Sequence, residues 1–255
     1  MSNDEIAIEF RDVSFTVPGG KKLLLQLNLT VRRGETLVLL GRSGSGKTTT
    51  MKLINRLIDP TEGEVWIDGK RTLDWDPIRL RRRIGYVIQE IGLFPHLTVA
   101  ENIGVVPRLE GWPAERISER ALALLEMVGL DPDRFAHRMP RELSGGQRQR
   151  VGVARALGAD PPFILLDEPF GALDPITRRE IQREFKILQR DLGKTMIFVT
   201  HDIAEAFLLA DRLALLQDGT MVLLGPPEDL LRSDHPEARA FSEGFRGTQN
   251  PAGAA

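Results

Sequence analysis

The sequence Leu-Val-Leu-Leu-Gly-Arg-Ser-Gly-Ser-Gly-Lys-Thr, residues 37–48, decides the fold of this 255-residue chain. Its first four residues are apolar, as is typical of a buried strand, and a glycine-rich segment follows them directly. Apolar residues then recur at a spacing that predicts a helix, at Met51, Ile54, Leu57 and Ile58. Strand, glycine-rich loop and helix in this order form the context that a phosphate-binding loop requires.

The loop chemistry predicts a nucleotide site. Gly41, Gly44 and Gly46 let the backbone turn and bring its N–H groups close to an anion without interference from a Cβ atom. The helix that begins near Lys47 adds the positive end of its dipole. We expect Lys47 to reach the β- and γ-phosphates and the hydroxyl of Thr48 to join a Mg²⁺ shell. The other nucleotide-binding residues predicted in this segment are Arg42, Ser43, Ser45 and Thr49.

The composition limits the function. The chain has 34 Lys and Arg residues against 36 Asp and Glu residues, a net charge of −2, and no cysteine. This balance offers no broad attraction to DNA or RNA, so we expect no nucleic acid partner. The lack of cysteine excludes disulfides, thiol catalysis and cysteine-based metal sites. The histidines His96, His137 and His235 are not spaced as metal ligands. The arginines at 79, 81–83, 148 and 150 are expected to form solvated helix faces.

The sequence also bears on location. Residues Met1–Glu9 lack a basic start followed by an apolar stretch, so no secretory signal is expected there. Apolar runs such as Phe163–Leu166 have the length of a strand, far below the roughly 18–20 residues that span a bilayer. We therefore expect the protein to stay inside the cell and to act on a membrane only through another chain.

The elements change character along the chain. The first eighty residues predict short strands: Ile6–Phe10, Val13–Val17, Leu27–Val31, Leu37–Leu40 and Glu64–Ile67. Helical patterns dominate from Gly92 to about Asp160, for instance at Glu115–Val128 between Pro113 and Gly129. The predicted domain limits are a core of residues 1–90 and 161–246, a helical subdomain of residues 91–160 and a disordered tail of residues 247–255.

Strands and helices alternate in the last third of the chain. The predicted elements are the strands Phe163–Leu166, Thr195–Thr200 and Arg212–Gln217 and a helix over Arg178–Arg190. This alternation predicts an α/β fold with a parallel sheet covered by helices.

Two adjacent carboxylates end the strand that begins at Phe163. Side chains alternate along a strand, so Asp167 and Glu168 are expected to point in different directions and to hold different roles. Asp167 would bind Mg²⁺ directly or through water. Glu168 would act as the base that polarises the water attacking the γ-phosphorus.

The segment Leu143-Ser-Gly-Gly-Gln147 precedes apolar residues at helical spacing, Val151, Ala154 and Leu157. Ser144 is therefore predicted to cap the start of a helix, with Gly145 and Gly146 at its mouth. Taken alone, the segment indicates no more than a helix start.

The glycine-rich loop, then the Leu143–Gln147 segment and then the strand that ends in Asp167 and Glu168, in this order along the chain, resemble the ATP-binding-cassette (ABC) ATPases. The resemblance implies a P-loop NTPase (RecA-like) core with an N-terminal antiparallel β subdomain and an inserted α-helical subdomain. It also implies an ATP hydrolase that uses Mg²⁺ and works as a homodimer. In such a dimer the residues Ser144, Gly145, Gly146 and Gln147 contact the γ-phosphate bound on the other subunit.

Further family marks follow from the same resemblance. Gln89 is similar to the family's Q-loop glutamine, a contact to Mg²⁺ and water. The segment Gly171–Asp174 is similar to the D-loop, through which Asp174 would meet the other subunit. His201 resembles the switch histidine that contacts the γ-phosphate and the attacking water.

One position departs from the family pattern. The adenine base usually stacks on an aromatic residue, and the alignment of this motif places Val17 there, which reduces stacking to an apolar contact. Phe15 lies two residues earlier on the same strand face and is a possible substitute, although a core aromatic is the alternative.

A single cassette resembles the importer arrangement, in which two ATPase subunits sit on the cytoplasmic face of the inner membrane beneath a permease, with a substrate-binding protein outside. The segments Leu53–Leu57, Gly85–Gln89 and Gly92–His96 resemble the glycine betaine, choline and proline (quaternary amine) group. Many members continue into regulatory CBS modules, and a chain that ends at Ala255 is expected to lack them. Residues 92–102 are the expected permease contact.

Three alternatives remain at this point. An exporter of the same family would differ by the absence of a substrate-binding protein. A soluble ATPase that remodels nucleic acid or protein usually adds a second cassette or a long coiled coil. A nucleotide sensor without turnover would be expected to lose Glu168 or His201, and both are present.

Overall fold

The structure is a computed structural model that describes residues 5–89 and 92–249, with side chains described as far as residue 245. The chain forms two compact units. Unit 1 contains residues up to Asp76 and from Thr195 onward, and unit 2 contains Pro77–Lys194. Within the described ranges, no helix is both long enough and apolar enough to cross a membrane.

The strands are mostly four to six residues long, and the first two are longer. Their bounds are β1 Ile6–Thr16, β2 Lys22–Arg32, β3 Thr36–Leu40, β4 Glu62–Ile67, β5 Lys70–Arg71, β6 Ile84–Val87, β7 Phe163–Asp167, β8 Thr195–Thr200, β9 Arg212–Gln217 and β10 Thr220–Gly225.

The helices begin after residue 46, and several start at a proline or after a capping side chain. Their bounds are α1 Lys47–Ile54, α2 Pro77–Arg82, α3 Val99–Ile103, α4 Val105–Leu109, α5 Ala114–Met127, α6 Pro132–Phe135, α7 Gly145–Leu157, α8 Pro175–Leu192, α9 Ile203–Leu209, α10 Pro227–Arg232 and α11 Pro236–Gln249.

Unit 1 contains an antiparallel sheet in the order β2-β1-β4-β5. The sequence predicted two strands where β1 runs without a break, and that prediction was wrong. The register shifts between Phe10 and Val13, where Asp12 has a φ of 50°. Asn28 on β2 holds this bulge, because its side chain accepts from the Asp12 N–H at 3.0 Å and donates to the Asp12 carboxylate at 2.8 Å. A bulge bends a strand without ending it.

The second group of strands in unit 1 has the order β10-β9-β3-β8, with β3 parallel to both of its neighbours. All five residues of β3 are buried, as expected for a parallel strand covered on both faces. Leu40, its last residue, pairs with Thr200 of β8 and with Leu215 of β9. The loops that follow β3, β8 and β9 therefore all begin at the same edge of the sheet.

Unit 2 contains the parallel pair β6 and β7, together with α2 to α8. Helix α7 packs so closely on β6 that a Cβ atom on Gly85 would lie 2.3 Å from the carbonyl oxygen of Ala156. Helix α5 buries Ala121, Leu124 and Leu125 on one face.

The α/β class, the N-terminal antiparallel sheet and the helical insertion are confirmed. Helices α3 to α7 fall within the predicted helical subdomain, whose limits stay a prediction because residues 90 and 91 lie outside the described chain. Helix α11 continues to Gln249, so residues 247–249 are helical where a disordered tail was predicted. Each added helical residue gains a backbone hydrogen bond once a helix has started. Residues 250–255 of that tail are not described.

Candidate functional site

The glycine-rich loop joins β3 to α1 in unit 1, as predicted. Gly41 tolerates no side chain, since a Cβ atom there would lie 2.4 Å from the Leu216 carbonyl oxygen and 2.6 Å from Ser45 Oγ. Gly46 caps α1 with a φ of 106° and supplies no side-chain cap. The positive end of the helix therefore faces the loop, which suits an anion. Of the other loop residues, Ser45 is buried, Thr49 is half-buried, and Arg42, Ser43, Gly44 and Thr48 are exposed.

Lys47 occupies the centre of this loop. Its side-chain ammonium donates to the carbonyl oxygens of Gly41 at 2.7 Å and Arg42 at 2.8 Å, and the residue is 5% exposed. A buried cation needs such partners, because desolvation without them is costly. The loop thus holds a positive charge at the point where the helix N-terminus is also positive.

His201 leaves the sheet beside the loop. Leu40 and Thr200 are partners across the parallel strands β3 and β8, so Gly41 and His201 are the next residues on neighbouring strands. Neighbouring strands lie about 4.8 Å apart. His201 is exposed, and Asp202 directly after it caps α9 by accepting from the N–H of Ala204 at 2.7 Å. The predicted phosphate loop and the predicted switch histidine are therefore brought together.

Val17 follows β1 and starts the turn into β2. Its N–H donates to the Lys21 carbonyl at 3.0 Å, and its side chain is half-buried. The beginning of β2 lies against the loop, since a Cβ atom on Gly46 would meet Leu24 Cδ2 at 2.6 Å. Phe15 is half-buried as well, so it is not a fully enclosed core aromatic.

A second set of predicted residues lies together in unit 2. Val87 of β6 pairs with Leu166 of β7, so Gln89 and Glu168 each stand two residues beyond the paired positions at the same edge. Gln89 is exposed, Asp167 is buried and Glu168 is half-buried. An amide and two carboxylates therefore stand at the same end of this strand pair.

The two carboxylates differ for another reason than the one predicted. Strand β7 ends at Asp167, and Glu168 has a φ of 44°, in the left-handed region that few residues other than glycine adopt. The backbone turn, rather than strand alternation, therefore sets the direction of Glu168. Such strained backbone is often found at functional sites.

Tyr86 is a neighbour of this site that the sequence did not suggest. Its hydroxyl lies 3.5 Å from a carboxylate oxygen of Asp167. Burial, and secondly the charge of Asp167, raise the pKa of Tyr86, so the hydroxyl stays a neutral donor toward the carboxylate. The available signal was that Tyr86 stands next to Val87, the last residue of strand β6.

The Leu143–Gln147 segment forms the start of α7, and the predicted cap is confirmed. Ser144 Oγ accepts from the Gln147 N–H at 3.2 Å, and the Gln147 side chain accepts from the Ser144 N–H at 2.9 Å. This reciprocal pair is a capping box. Gly146 has a packing reason, since a Cβ atom there would lie 2.9 Å from Thr177 and 3.0 Å from Ile181 of α8. Gly145 has room, with Leu173 at 3.8 Å.

Asp174 caps α8. Its carboxylate accepts from the N–H groups of Ile176 at 3.1 Å and Thr177 at 3.0 Å. The hydrogen bonds from Thr177 hold the pKa of Asp174 below its usual value. The side chain is exposed while it caps the helix.

The basic residues of α7 are not a simple solvated face. Arg150 donates to the Val128 carbonyl at 2.8 Å and pairs with Glu184, and Arg148 donates to the Leu143 carbonyl at 2.9 Å. Both were predicted to be solvated, and that prediction was wrong because nearby helix ends present free carbonyl acceptors.

A family model described as ABC transporter matches residues 24–171 of the chain. This stretch is more than half of the sequence and contains the glycine loop, the α7 cap and both carboxylates. The chain therefore belongs to the ABC transporter family, and the resemblance to its ATPases is confirmed.

Two curated relatives define the group within the family. The choline transport ATP-binding protein OpuBA of Bacillus subtilis is 53% identical over 242 residues, covering 95% of this chain and 62% of the relative. The osmoprotectant import ATP-binding protein OsmV of Salmonella typhimurium is 55% identical over 210 residues, covering 82% of this chain and 55% of the relative. The chain spans less than two thirds of the length of either relative.

Solved structures confirm the predicted P-loop NTPase fold. The ATP-binding cassette MJ0796, a dimer in a post-hydrolysis state bound to ADP and phosphate, superposes with a TM-score of 0.77 at 39% identity, covering 86% of this chain and 98% of that one. The cassette cbiO1 from Clostridium perfringens, part of the transporter complex cbiONQ, superposes with a TM-score of 0.83 at 26% identity, covering 97% of each chain.

Proposed function

We propose that this chain is the ATP-hydrolysing subunit of an importer for a small quaternary amine such as glycine betaine or choline. The observation that carries the proposal is the joint departure of the glycine loop and His201 from paired strand ends, in a chain 53% identical to a choline transport ATP-binding protein. Parallel α/β sheets bind ligands at this edge.

The residues of the glycine loop bind the nucleotide in this proposal. Lys47 exchanges its two carbonyl partners for the β- and γ-phosphates, and Val17 gives the base an apolar contact. The proposed Mg²⁺ ligands are Thr48, Gln89 and Asp167, which offer hydroxyl, amide and carboxylate oxygens, and oxygen donors of this kind suit Mg²⁺. Mg²⁺, when bound, neutralises charge on the phosphates.

The catalytic residues are Glu168, Gln89 and His201. Glu168 takes the proton of the attacking water, for which its half-buried position and fixed backbone are suited. Gln89 orients that water, and His201 donates to the γ-phosphate. Each residue thus acts on the attacking water or on the γ-phosphate, the two groups that change during hydrolysis.

We further propose that two copies complete each other's sites. Ser144, Gly145, Gly146 and Gln147 would contact the nucleotide held by the other copy, with Asp174 near the same interface. The dimeric state of the similar cassette MJ0796 supports this arrangement. Ser144 and Asp174 are exposed, as a contact with a second copy requires.

The permease contact is proposed at residues 92–102, on the cytoplasmic face of the inner membrane, with an extracytoplasmic substrate-binding protein as the third component. A cavity of about 330 Å³ in unit 2 is lined by Gly92, Phe94 and Val106 among others. Phe94 is 41% exposed, and Arg155 supports this loop by donating to the Gly92 carbonyl at 2.6 Å. An exposed aromatic beside a cavity suits an inserted helix end of a partner.

The test combines turnover with uptake. In Glu168→Gln we expect ATP hydrolysis to fall by roughly 10²- to 10⁴-fold, the usual contribution of a general base, while ATP still binds. A strain carrying this variant should fail to accumulate labelled glycine betaine. Glu180→Gln, at an exposed position on α8, is the matched control and should behave as wild type. Wild-type turnover in Glu168→Gln would remove the assigned base, and efflux of preloaded betaine without uptake would indicate an exporter.

A further inference from the structure

We propose that Glu237 on α11 is a positioning residue for the phosphate loop, acting through Arg42. This inference rests on the proposed function, since it concerns the nucleotide affinity of the same loop. It adds a contribution from the C-terminal part of the chain to a site that the motifs confine to residues 41–49.

The contact is an ion pair between distant parts of unit 1. Arg42 Nε donates to Glu237 Oε1 at 2.8 Å, and the two residues are 195 positions apart in sequence. The Glu237 side chain is only 9% exposed, whereas that of Arg42 is 69% exposed. A carboxylate this well covered needs a cation or hydrogen-bond donors, so Glu237 fixes the direction of the Arg42 side chain.

Arg42 also holds the centre of the loop through its backbone. Its carbonyl oxygen accepts from Lys47 Nζ at 2.8 Å and from the Ser45 N–H at 3.2 Å. One residue therefore binds α11 with its side chain and the loop lysine with its main chain. Glu237 is therefore connected to the Lys47 ammonium through two hydrogen bonds, one to the Arg42 side chain and one to the Arg42 carbonyl.

The loop has two contacts on this side, since Gly41 lies against the Leu216 carbonyl and the Gly219 N–H donates to the Ser45 carbonyl at 3.1 Å. A cavity of about 310 Å³ lies between the loop and the end of β9, and both Arg42 and Glu237 line it. Its other walls are Ser43, Ser45, Leu216, Gln217 and Asp218. The ion pair spans this cavity, so it adds a restraint at Arg42 where side-chain packing leaves open space.

Helix α11 is a firm support for this ion pair. Ala238, next to Glu237, is fully buried, and Ser242 Oγ donates to the Leu230 carbonyl of α10 at 3.1 Å. Phe245 stacks on Phe207 of α9, with ring centres 4.9 Å apart and an angle of 15° between the rings. Helix α9 starts two residues after His201, so α11 contacts both Arg42 of the loop and the helix that follows His201.

The consequence is a specific effect on affinity. Loss of the pair allows the loop more conformations, so ATP must order it on binding and the KM rises. An ion pair with one exposed member contributes modestly, and we expect a rise of about two- to fivefold with kcat changed less than about twofold. High salt should weaken wild-type affinity toward that of the variant.

The test is a double-mutant cycle with Glu237→Gln, Arg42→Gln and the double variant, measured as KM and kcat for ATP and as binding of a fluorescent ATP analogue. Glu237→Gln keeps the shape and a hydrogen-bond acceptor. Action through Arg42 requires that Glu237→Gln has no further effect in the Arg42→Gln background. The matched control is Asp234→Asn, which removes the exposed ion pair between Asp234, two residues before α11, and Arg239 on α11 without touching the loop.

The experiment distinguishes a failure of this inference from a failure of the proposed function. An unchanged or lowered KM in folded Glu237→Gln, an equal shift in Asp234→Asn, or additive effects in the double variant would each overturn the inference. In those cases Lys47→Ala would still abolish binding, and the proposed function would stand. A wild-type protein that neither binds nor hydrolyses ATP would overturn the proposed function and this inference with it.

Discussion

Helices α1 and α7 begin with the same kind of glycine-rich segment but close their N-termini in opposite ways. Gly46 leaves α1 without a side-chain cap, whereas Ser144 and Gln147 satisfy the first turn of α7 between them. The α1 mouth is therefore prepared for an external anion in a single chain. The α7 mouth already has its hydrogen bonds, so a phosphate there competes with the chain's own cap.

The glycines of the two segments also serve different ends. Gly46 is required by its φ of 106° and by the closeness of Leu24, both of which shape the loop. Gly146 has no unusual backbone, and it is required because α8 lies against it. The glycines of the α1 segment shape a loop for a ligand. Those of the α7 segment allow helix packing, and the exposed Ser144 precedes them. We infer that α1 supplies most of the nucleotide affinity and that α7 adds its contact later.

The largest effect should follow from the α1 mouth. Lys47→Ala removes the buried ammonium at the centre of the loop, and we expect kcat/KM for ATP to fall by about 10²- to 10³-fold, as for the loss of one preorganised donor. Steady-state kinetics and analogue binding would measure it. Thr50→Ser, at a buried position one helical turn from the loop, is the control for general disturbance of α1. Near wild-type affinity in Lys47→Ala would contradict the role of this mouth.

The α7 mouth should matter only between copies. Ser144→Arg obstructs a neighbouring site while leaving the chain's own loop intact, so it should bind ATP normally and yet be inactive alone. Mixed with Lys47→Ala, it should recover about one working site per dimer, as two-fold symmetry requires. ATPase activity of the mixture measures the recovery. Its absence in a well-formed mixed dimer would count against the shared site.

The packing role of Gly146 predicts a loss of stability. Gly146→Ala should lower the free energy of unfolding by about 1–3 kcal/mol, because the new methyl group meets Thr177 and Ile181 at about 3 Å. Gly145→Ala is the matched control, with its nearest neighbour at 3.8 Å, and should cost less. Urea unfolding of both variants would decide. Equal stabilities would mean that α7 and α8 have room to separate.

The smallest effect concerns a third helix start, that of α8. The folded pKa of Asp174 is lowered, so its carboxylate form stabilises the fold. This contribution is complete above the unfolded value of about 3.9 and is lost as the pH falls through the folded value. The difference in unfolding free energy between wild type and Asp174→Asn should therefore shrink on acidification. A difference independent of pH would contradict it.

The sequence correctly predicted the features that depend on neighbouring residues: strand bounds, a helix cap and the glycine-rich loop. The strands at Thr195–Thr200 and Arg212–Gln217 have the predicted bounds, because short apolar runs between turn residues leave little choice. The α7 cap was readable from Ser144 and Gln147 three residues apart. The loop between β3 and α1 followed from its glycines.

Contacts between distant residues were not readable. The bulge at Asp12 depends on Asn28 of the next strand, so the pattern of β1 alone predicted a break. Glu168 adopts a left-handed backbone that its residue type disfavours, and only the surrounding fold can impose it. The pairing of Arg42 with Glu237 joins residues 195 positions apart, and the sequence around either residue does not indicate it.

The most direct test is the mass of Glu168→Gln with ATP and Mg²⁺, measured by light scattering during size-exclusion chromatography. If two chains hold nucleotide between the lysine loop of one and the serine turn of the other, the particle should have twice the mass of the chain, and adding Ser144→Arg should return it to one chain. A particle that remains a single chain under these conditions, also when its permease is supplied, would contradict the account.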